Sequence, residues 1–195
     1  MSKFLISVFV LFFILGCSTK EAKPFDTYTL FDSTSTKQSL HIDKILKISK
    51  IKSPKYTQSE KIWYKESSIK IDSYFYSKWN GSFNDIIEQN LLNIISKSEL
   101  YKSVFVRHSK VRADLVLESE IIEAIQSVEE GQVSFAIRLY LIEQKSSKLV
   151  TSKEFAYVEQ SETLDAKGAV MAYEKIIKKL NKDVVLWLSK SVKED

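Results

Sequence analysis

Between Val133 and Leu141 the chain is apolar at every second position: Val133, Phe135, Ile137, Leu139 and Leu141 share one face. A period of two belongs to a strand with one buried and one wet side. That strand constrains everything else, because its apolar face must be covered by another element. Its neighbours in sequence also read as strands. "ADLVLESEIIEAIQSVEE" places Leu115, Leu117 and Ile121 together, and Ile121-Ile122 interrupts the alternation, which predicts a bulge. Gly131 in "EEGQ" suits a hairpin turn that needs a positive φ. "KSSK" turns the chain into "LVTSKEFAYVEQS", the last strand, so an antiparallel meander is the economical arrangement.

Two helices supply the cover. Asn80-Gly81-Ser82 is a turn with Ser82 as N-cap, and Asp85 stands three positions on. Phe83, Ile86, Ile87, Leu91, Ile94 and Ile95 then recur at helical spacing, fading near Lys97–Leu100. The second helix, of about seven turns, is capped by Asp165 or Thr163 and carries Val170, Tyr173, Ile177, Leu180, Val184 and Trp187. Further strands precede the first helix: "FDTYTLFD", with Phe25, Tyr28 and Leu30 available for burial; "SLHIDKILKISKIKSP", closed by Pro54; and "KIWYKE" followed by "SIKID". The expected class is α+β, an antiparallel sheet with two long helices packed on one face, forming a single domain over residues 25–195.

The compartment is read from the other end. Lys3 precedes about 12 largely apolar residues, Phe4 to Leu15, and Ile14-Leu15-Gly16-Cys17 follows. A membrane span needs about 20 apolar residues, so this length fits a signal-peptide core. Its end resembles the lipobox of bacterial lipoproteins, in which the cysteine receives a diacylglyceryl group and the leader is cut just before it. Residues 1–16 are therefore expected to be a cleaved lipoprotein signal peptide and 17–24 a lipidated tether. Cys17, the only cysteine, is the expected lipidation site. One acyl chain holds a protein only marginally, whereas the diacylglyceryl and N-acyl groups on Cys17 would hold it stably. By resemblance to lipoprotein sorting in enteric bacteria, Ser18 rather than Asp after the cysteine favours the outer membrane over inner-membrane retention. No other cofactor is called for.

The inventory for catalysis is thin. His41 and His108 are the only histidines and fall in separate elements, without the companions a metal site requires. No nucleophile elbow, phosphate loop or H-E-x-x-H motif is present. Glu118, Glu120 and Glu123 read as the wet side of a strand. A net charge of +4, from 29 basic and 25 acidic residues, lacks the basic stripe of a nucleic-acid partner. The basic run from His41 to Lys55 reads as a solvated face that guards a strand edge, or as an attraction to anionic lipid headgroups. The chain is thus not expected to be an enzyme or to bind metal. Tyr74, Tyr76 and Trp79, in "IDSYFYSKWNGSF", admit two readings. They pin the first helix to the sheet, or they form a docking face for lipid or protein.

A lipobox, "YTL", a strand ending near Pro54, "IWYKESSIKIDSYFYSKWNGSFNDIIEQNLLNII", the meander and "AVMAYEKIIKKLNKDVVLWL" occur in that order. Together they resemble the auxiliary lipoprotein component of MCE-type ABC lipid transporters, the paraquat-inducible protein C-like lipoproteins. The resemblance implies a non-catalytic role on the periplasmic face of the outer membrane, beside an MCE-domain protein, a permease and an ATPase. Such systems move phospholipid or other hydrophobic molecules between inner and outer membranes, which makes phospholipid a candidate ligand. A structural or assembly lipoprotein, such as a cell-wall synthase activator or a lipopolysaccharide-export partner, is the alternative.

Overall fold

The structure, a computed structural model, describes residues 24–30 and 37–191. The expected leader and Cys17 lie outside these residues. In chain order the elements are β1 (Asp26–Tyr28), β2 (Ile42–Ile48), β3 (Lys61–Ser67), β4 (Lys70–Trp79), α1 (Phe83–Lys97), β5 (Tyr101–Val106), β6 (Leu115–Ser127), β7 (Gln132–Glu143), β8 (Lys148–Gln160) and α2 (Ala166–Ser191). The class is α+β, as the periodicities require.

The sheet is mixed rather than wholly antiparallel. β6, β7 and β8 form the expected antiparallel meander. The other edge of β6 is shared by two separate groups of strands, both joined to it in parallel. β2 pairs with its first part, Leu46 beside Leu115, and β3 with its last, Tyr64 beside Gln126. β2 also pairs with β5 in parallel, and β3 with β4 in antiparallel. Parallel neighbours need a crossover, and the chain makes one after β5. Residues 107–114 carry it back so that β6, like β5, runs parallel to β2 between them, where a meander would have used a tight turn. A further correction concerns the lysine-rich strand: β2 lies between β5 and β6, so its lysines do not guard an edge.

The alternating faces pack as the pattern requires. Val133, Phe135, Ile137, Leu139 and Leu141 are buried, as are Phe83, Ile86, Ile87, Leu91, Ile94 and Ile95 of α1. Both helices cover the same face: Phe83 meets Phe135 at 6.1 Å and Trp187 meets Phe155 at 5.9 Å between ring centroids. α2 buries a wider stripe than expected, adding Ala169, Ala172, Ile176, Val185 and Leu188, while Val170 sits at its margin. The bulge falls at Ile122, since Ile121 pairs with Ile137 and Glu123 with Ala136. Inward positions therefore switch from odd to even numbers, and Gln126 turns toward the helices.

Both helix starts are capped by side chains. The backbone N–H of Asp85 donates to Ser82 Oγ at 3.2 Å, and that hydroxyl donates to the Asp85 carboxylate at 2.7 Å. Asp165 Oδ1 accepts from the Gly168 N–H at 2.8 Å and from the Thr163 hydroxyl at 2.7 Å, so Asp165 is the cap and Thr163 its support. Within the described part of the first expected strand, Asp26–Tyr28 forms a strand, parallel to β4 with Asp26 beside Ser77. Leu30 is buried as expected, but Phe25 faces outward.

Candidate functional site

β4 positions the three aromatic residues singled out above, and it does so by departing from regular pairing. Lys78 pairs with Lys61 and Ser73 with Trp63, so β4 advances five residues while β3 advances two. The surplus residues, Tyr74 to Ser77, swell out of the ladder. β1 closes on the far edge of β4 over Ser77–Trp79. Side chains along this swelling no longer alternate, and each aromatic meets a different environment.

Tyr74 turns inward. Its ring lies 4.7 Å from that of Tyr64, and its hydroxyl donates to Gln126 Oε1. Gln126 in turn donates to Ser161 Oγ at 2.7 Å and to the Thr163 carbonyl at 3.3 Å. This chain of bonds ties β4 to β6 and to the entry of α2. Burial, then the nearby Asp165 carboxylate, pushes the Tyr74 hydroxyl up to about 12. Trp79 is 2 % exposed and packs on Phe83 at 5.4 Å and Tyr173 at 5.7 Å. Its surface is spent on joining strand to helices, so the docking reading is corrected for Trp79 in favour of the pinning one.

Tyr76 alone of the three presents substantial surface, 49 % exposed. It stands with two residues that the sequence reading passed over as docking candidates, Phe75 at 75 % and Phe25 at 57 % exposure. Phe75 and Tyr76 meet edge to face at 4.9 Å, and Phe25 lies 6.4 Å from each. The available signal was the run Tyr74-Phe75-Tyr76 itself. Three consecutive aromatics in a strand cannot all enter a core that lies on one side.

The remaining candidates serve local structure. His41 Nδ1 lies 3.3 Å from the Glu99 carbonyl, and His108 Nε2 accepts from Arg107 Nε at 2.9 Å; the two histidines are not brought together in one site. Lys47 donates to the carbonyls of Ser109 and Val111, holding the loop after β5. Glu120, Arg138 and Glu154 form a charge ladder across the uncovered face of β6, β7 and β8, with Arg138 at 3.7 Å from Glu120 and 2.6 Å from Glu154. Glu118 lies 3.9 Å from Lys52. These carboxylates are half-exposed ion-pair partners. Among the described residues no group of three or more His, Cys, Asp or Glu side chains could hold a metal ion. A cleft of about 700 Å³ lies between the start of β8 and the end of α2, with Lys44, Lys148 and Lys190 around Leu149 and Leu186.

These features define a class: an α+β sandwich whose second sheet face is covered by no helix among the described residues, with an aromatic patch where the chain enters β1. A family model for the ABC-type transport auxiliary lipoprotein component matches residues 28–185, and the chain belongs to that family. Among solved structures it is similar to a protein from Xanthomonas campestris assigned to the family DUF330. That likeness has a TM-score of 0.75 at 15% identity, covering 85% of this chain and 95% of the other. A second, uncharacterized protein superposes with a TM-score of 0.68 at 13% identity, over 85% of this chain and 99% of its own. At such identities the likeness concerns the fold. No curated protein matches the sequence significantly. The family description points to a non-enzymatic component associated with an ABC transporter. Membership in a lipoprotein family is consistent with a membrane-anchored periplasmic protein, and among the described residues no helix is long and apolar enough to cross a membrane.

Proposed function

We propose that this chain is the lipid-anchored auxiliary component of an MCE-type ABC transporter that moves phospholipid or other hydrophobic molecules between the inner and outer membranes. The observation that carries the reading is the family match over residues 28–185. The lipobox-like Ile14-Leu15-Gly16-Cys17 supports the anchor, and Ser18 supports the outer membrane as its destination. Anchored through Cys17 on the periplasmic face, the domain is a non-catalytic receiving or docking module for an MCE-domain protein with its permease and ATPase. Confinement to one surface raises its effective concentration toward that partner without any new contact.

Two measurements test this. Labelled palmitate enters the wild type and not Cys17→Ala; equal labelling of both removes the anchor. The intact lipoprotein, purified from cells under mild detergent, brings an MCE-domain protein with it, and repeated failure to recover one removes the transporter assignment. Phospholipid is the ligand class we infer. The cleft that sets Lys44, Lys148 and Lys190 around Leu149 and Leu186 supplies cations for a phosphate and apolar surface for a chain. Native mass spectra of the purified protein are expected to carry phospholipid, which Lys148→Glu with Lys190→Glu reduces; unchanged occupancy excludes this cleft.

A further inference from the structure

Exposed apolar side chains concentrate along one edge of the sheet. Phe25, Phe75 and Tyr76 form the aromatic cluster, and Ile71 extends it along β4 toward Ile69, which is 95 % exposed at the β3–β4 turn. This edge is also where the N-terminal segment arrives. β1 is fixed to β4 by the pairing of Asp26, Thr27 and Tyr28 with Ser77, Lys78 and Trp79. Phe25, one residue before β1, is therefore held beside Phe75 and Tyr76.

We infer that the Phe25–Phe75–Tyr76 cluster is the membrane-facing surface of this domain, seated in the headgroup region of the bilayer to which the chain is attached. The inference rests on Cys17 as the attachment point. Six residues, Ser18 to Lys23, separate Cys17 from Pro24, and the seven steps from Cys17 to Pro24 span at most about 25 Å when fully extended. A leash so short keeps the end of the domain at its root against the membrane. The apolar surface at that root is aromatic, and aromatic rings, with the polar tip of a tyrosine, favour the bilayer interface. Charge is balanced here: Lys70 pairs with Glu66 at 2.5 Å and Lys78 with Glu60 at 3.1 Å. Contact therefore depends on apolar burial, with little demand for anionic lipid.

The test uses the mature chain beginning at Cys17, coupled through its sole thiol to a maleimide-headgroup lipid in phosphatidylcholine vesicles. Benzoylphenylalanine replaces Phe75, Tyr76 or, as the reference outside the cleft, Val158 on β8, exposed residues whose exchange leaves the core intact. Chemical coupling imposes the anchor, so the outcome does not depend on acylation in cells, which palmitate labelling addresses separately. Irradiation is expected to add the mass of one phospholipid at positions 75 and 76 and none at 158, with the same yield after phosphatidylglycerol is included. Equal adducts at all three positions, or crosslinks from 75 and 76 to a second copy of the chain in place of lipid, would overturn the inference.

Discussion

Asn90 on α1 and Asn181 on α2 hold each other by both carboxamides. Asn90 Nδ2 donates to Asn181 Oδ1 at 2.6 Å, and Asn181 Nδ2 returns a bond to Asn90 Oδ1 at 3.3 Å. Both side chains are buried in a seam otherwise lined by apolar residues such as Ile87, Leu91 and Ile177. A slide of one helix along the other would break both bonds of the buried pair, so the pair selects one register. Replacing either asparagine by alanine removes the carboxamide that the other is bonded to across the helix seam and is expected to cost about 1–3 kcal/mol. The double variant should cost less than the sum of the singles in urea unfolding. Strict additivity would show that the two amides do not act as a pair.

Gly168 is expected to reverse the usual helix ranking. Alanine normally exceeds glycine by about 1 kcal/mol inside a helix. A Cβ at this position would lie 2.1 Å from the Thr163 carbonyl oxygen and 2.5 Å from its Oγ1. Because the Thr163 backbone is in the way, Gly168→Ala should destabilise by about 1–3 kcal/mol. Thermal unfolding decides the sign, and a stabilised variant would refute the close approach.

The cap on α2 makes part of the stability pH-dependent. The Thr163 hydroxyl, and then the Gly168 N–H, hold the Asp165 carboxyl below the usual carboxylate range. A depressed native pKa gives stability that is fully present above the unfolded value of about 3.9 and is lost as pH falls through the native one. Asp165→Ala should cost about 1 kcal/mol at neutral pH. The gap between variant and wild type should then close on acidification, and a gap independent of pH would place the effect elsewhere.

Trp79 and Tyr76, three positions apart, should behave as opposites. Trp79→Ala empties a site bounded by Phe83 and Tyr173 and is expected to cost about 3–5 kcal/mol. Tyr76→Ala should stay within about 0.5 kcal/mol of wild type in the detergent-solubilised protein. Denaturant midpoints separate the two, and a large loss at Tyr76 would place it in the fold.

Most of this architecture was legible because it rests on periodicity. The β7 face, both helix stripes, the Ser82 cap and the bulge at Ile122 follow from spacing alone. Strand direction does not. Nothing in "IDKILKI" or "KIWYKES" tells that each lies parallel to β6, because β6 takes its direction from the connection after β5, which returns the chain to the far side of β2. Asn90 and Asn181 were equally silent, since two polar residues on apolar stripes show their pairing only once the helices meet. At the aromatic patch the sequence pointed to Tyr76, the half-buried Tyr74 and the buried Trp79 together. Separating them required the uneven pairing of β3 with β4, which strict alternation hides.

The bulge at Ile122 has a consequence for length changes in β6. It acts as a phase shifter: upstream of it the odd positions face the helices, downstream the even ones. Deleting Ile122 would restore strict alternation and evert the last stretch of the strand. Gln126 would then point to solvent, Tyr74 would lose its acceptor, and the β4 swelling that presents Phe75 and Tyr76 would lose its tie to the sheet. One surplus residue in β6 thus fixes the orientation of a surface built two strands away.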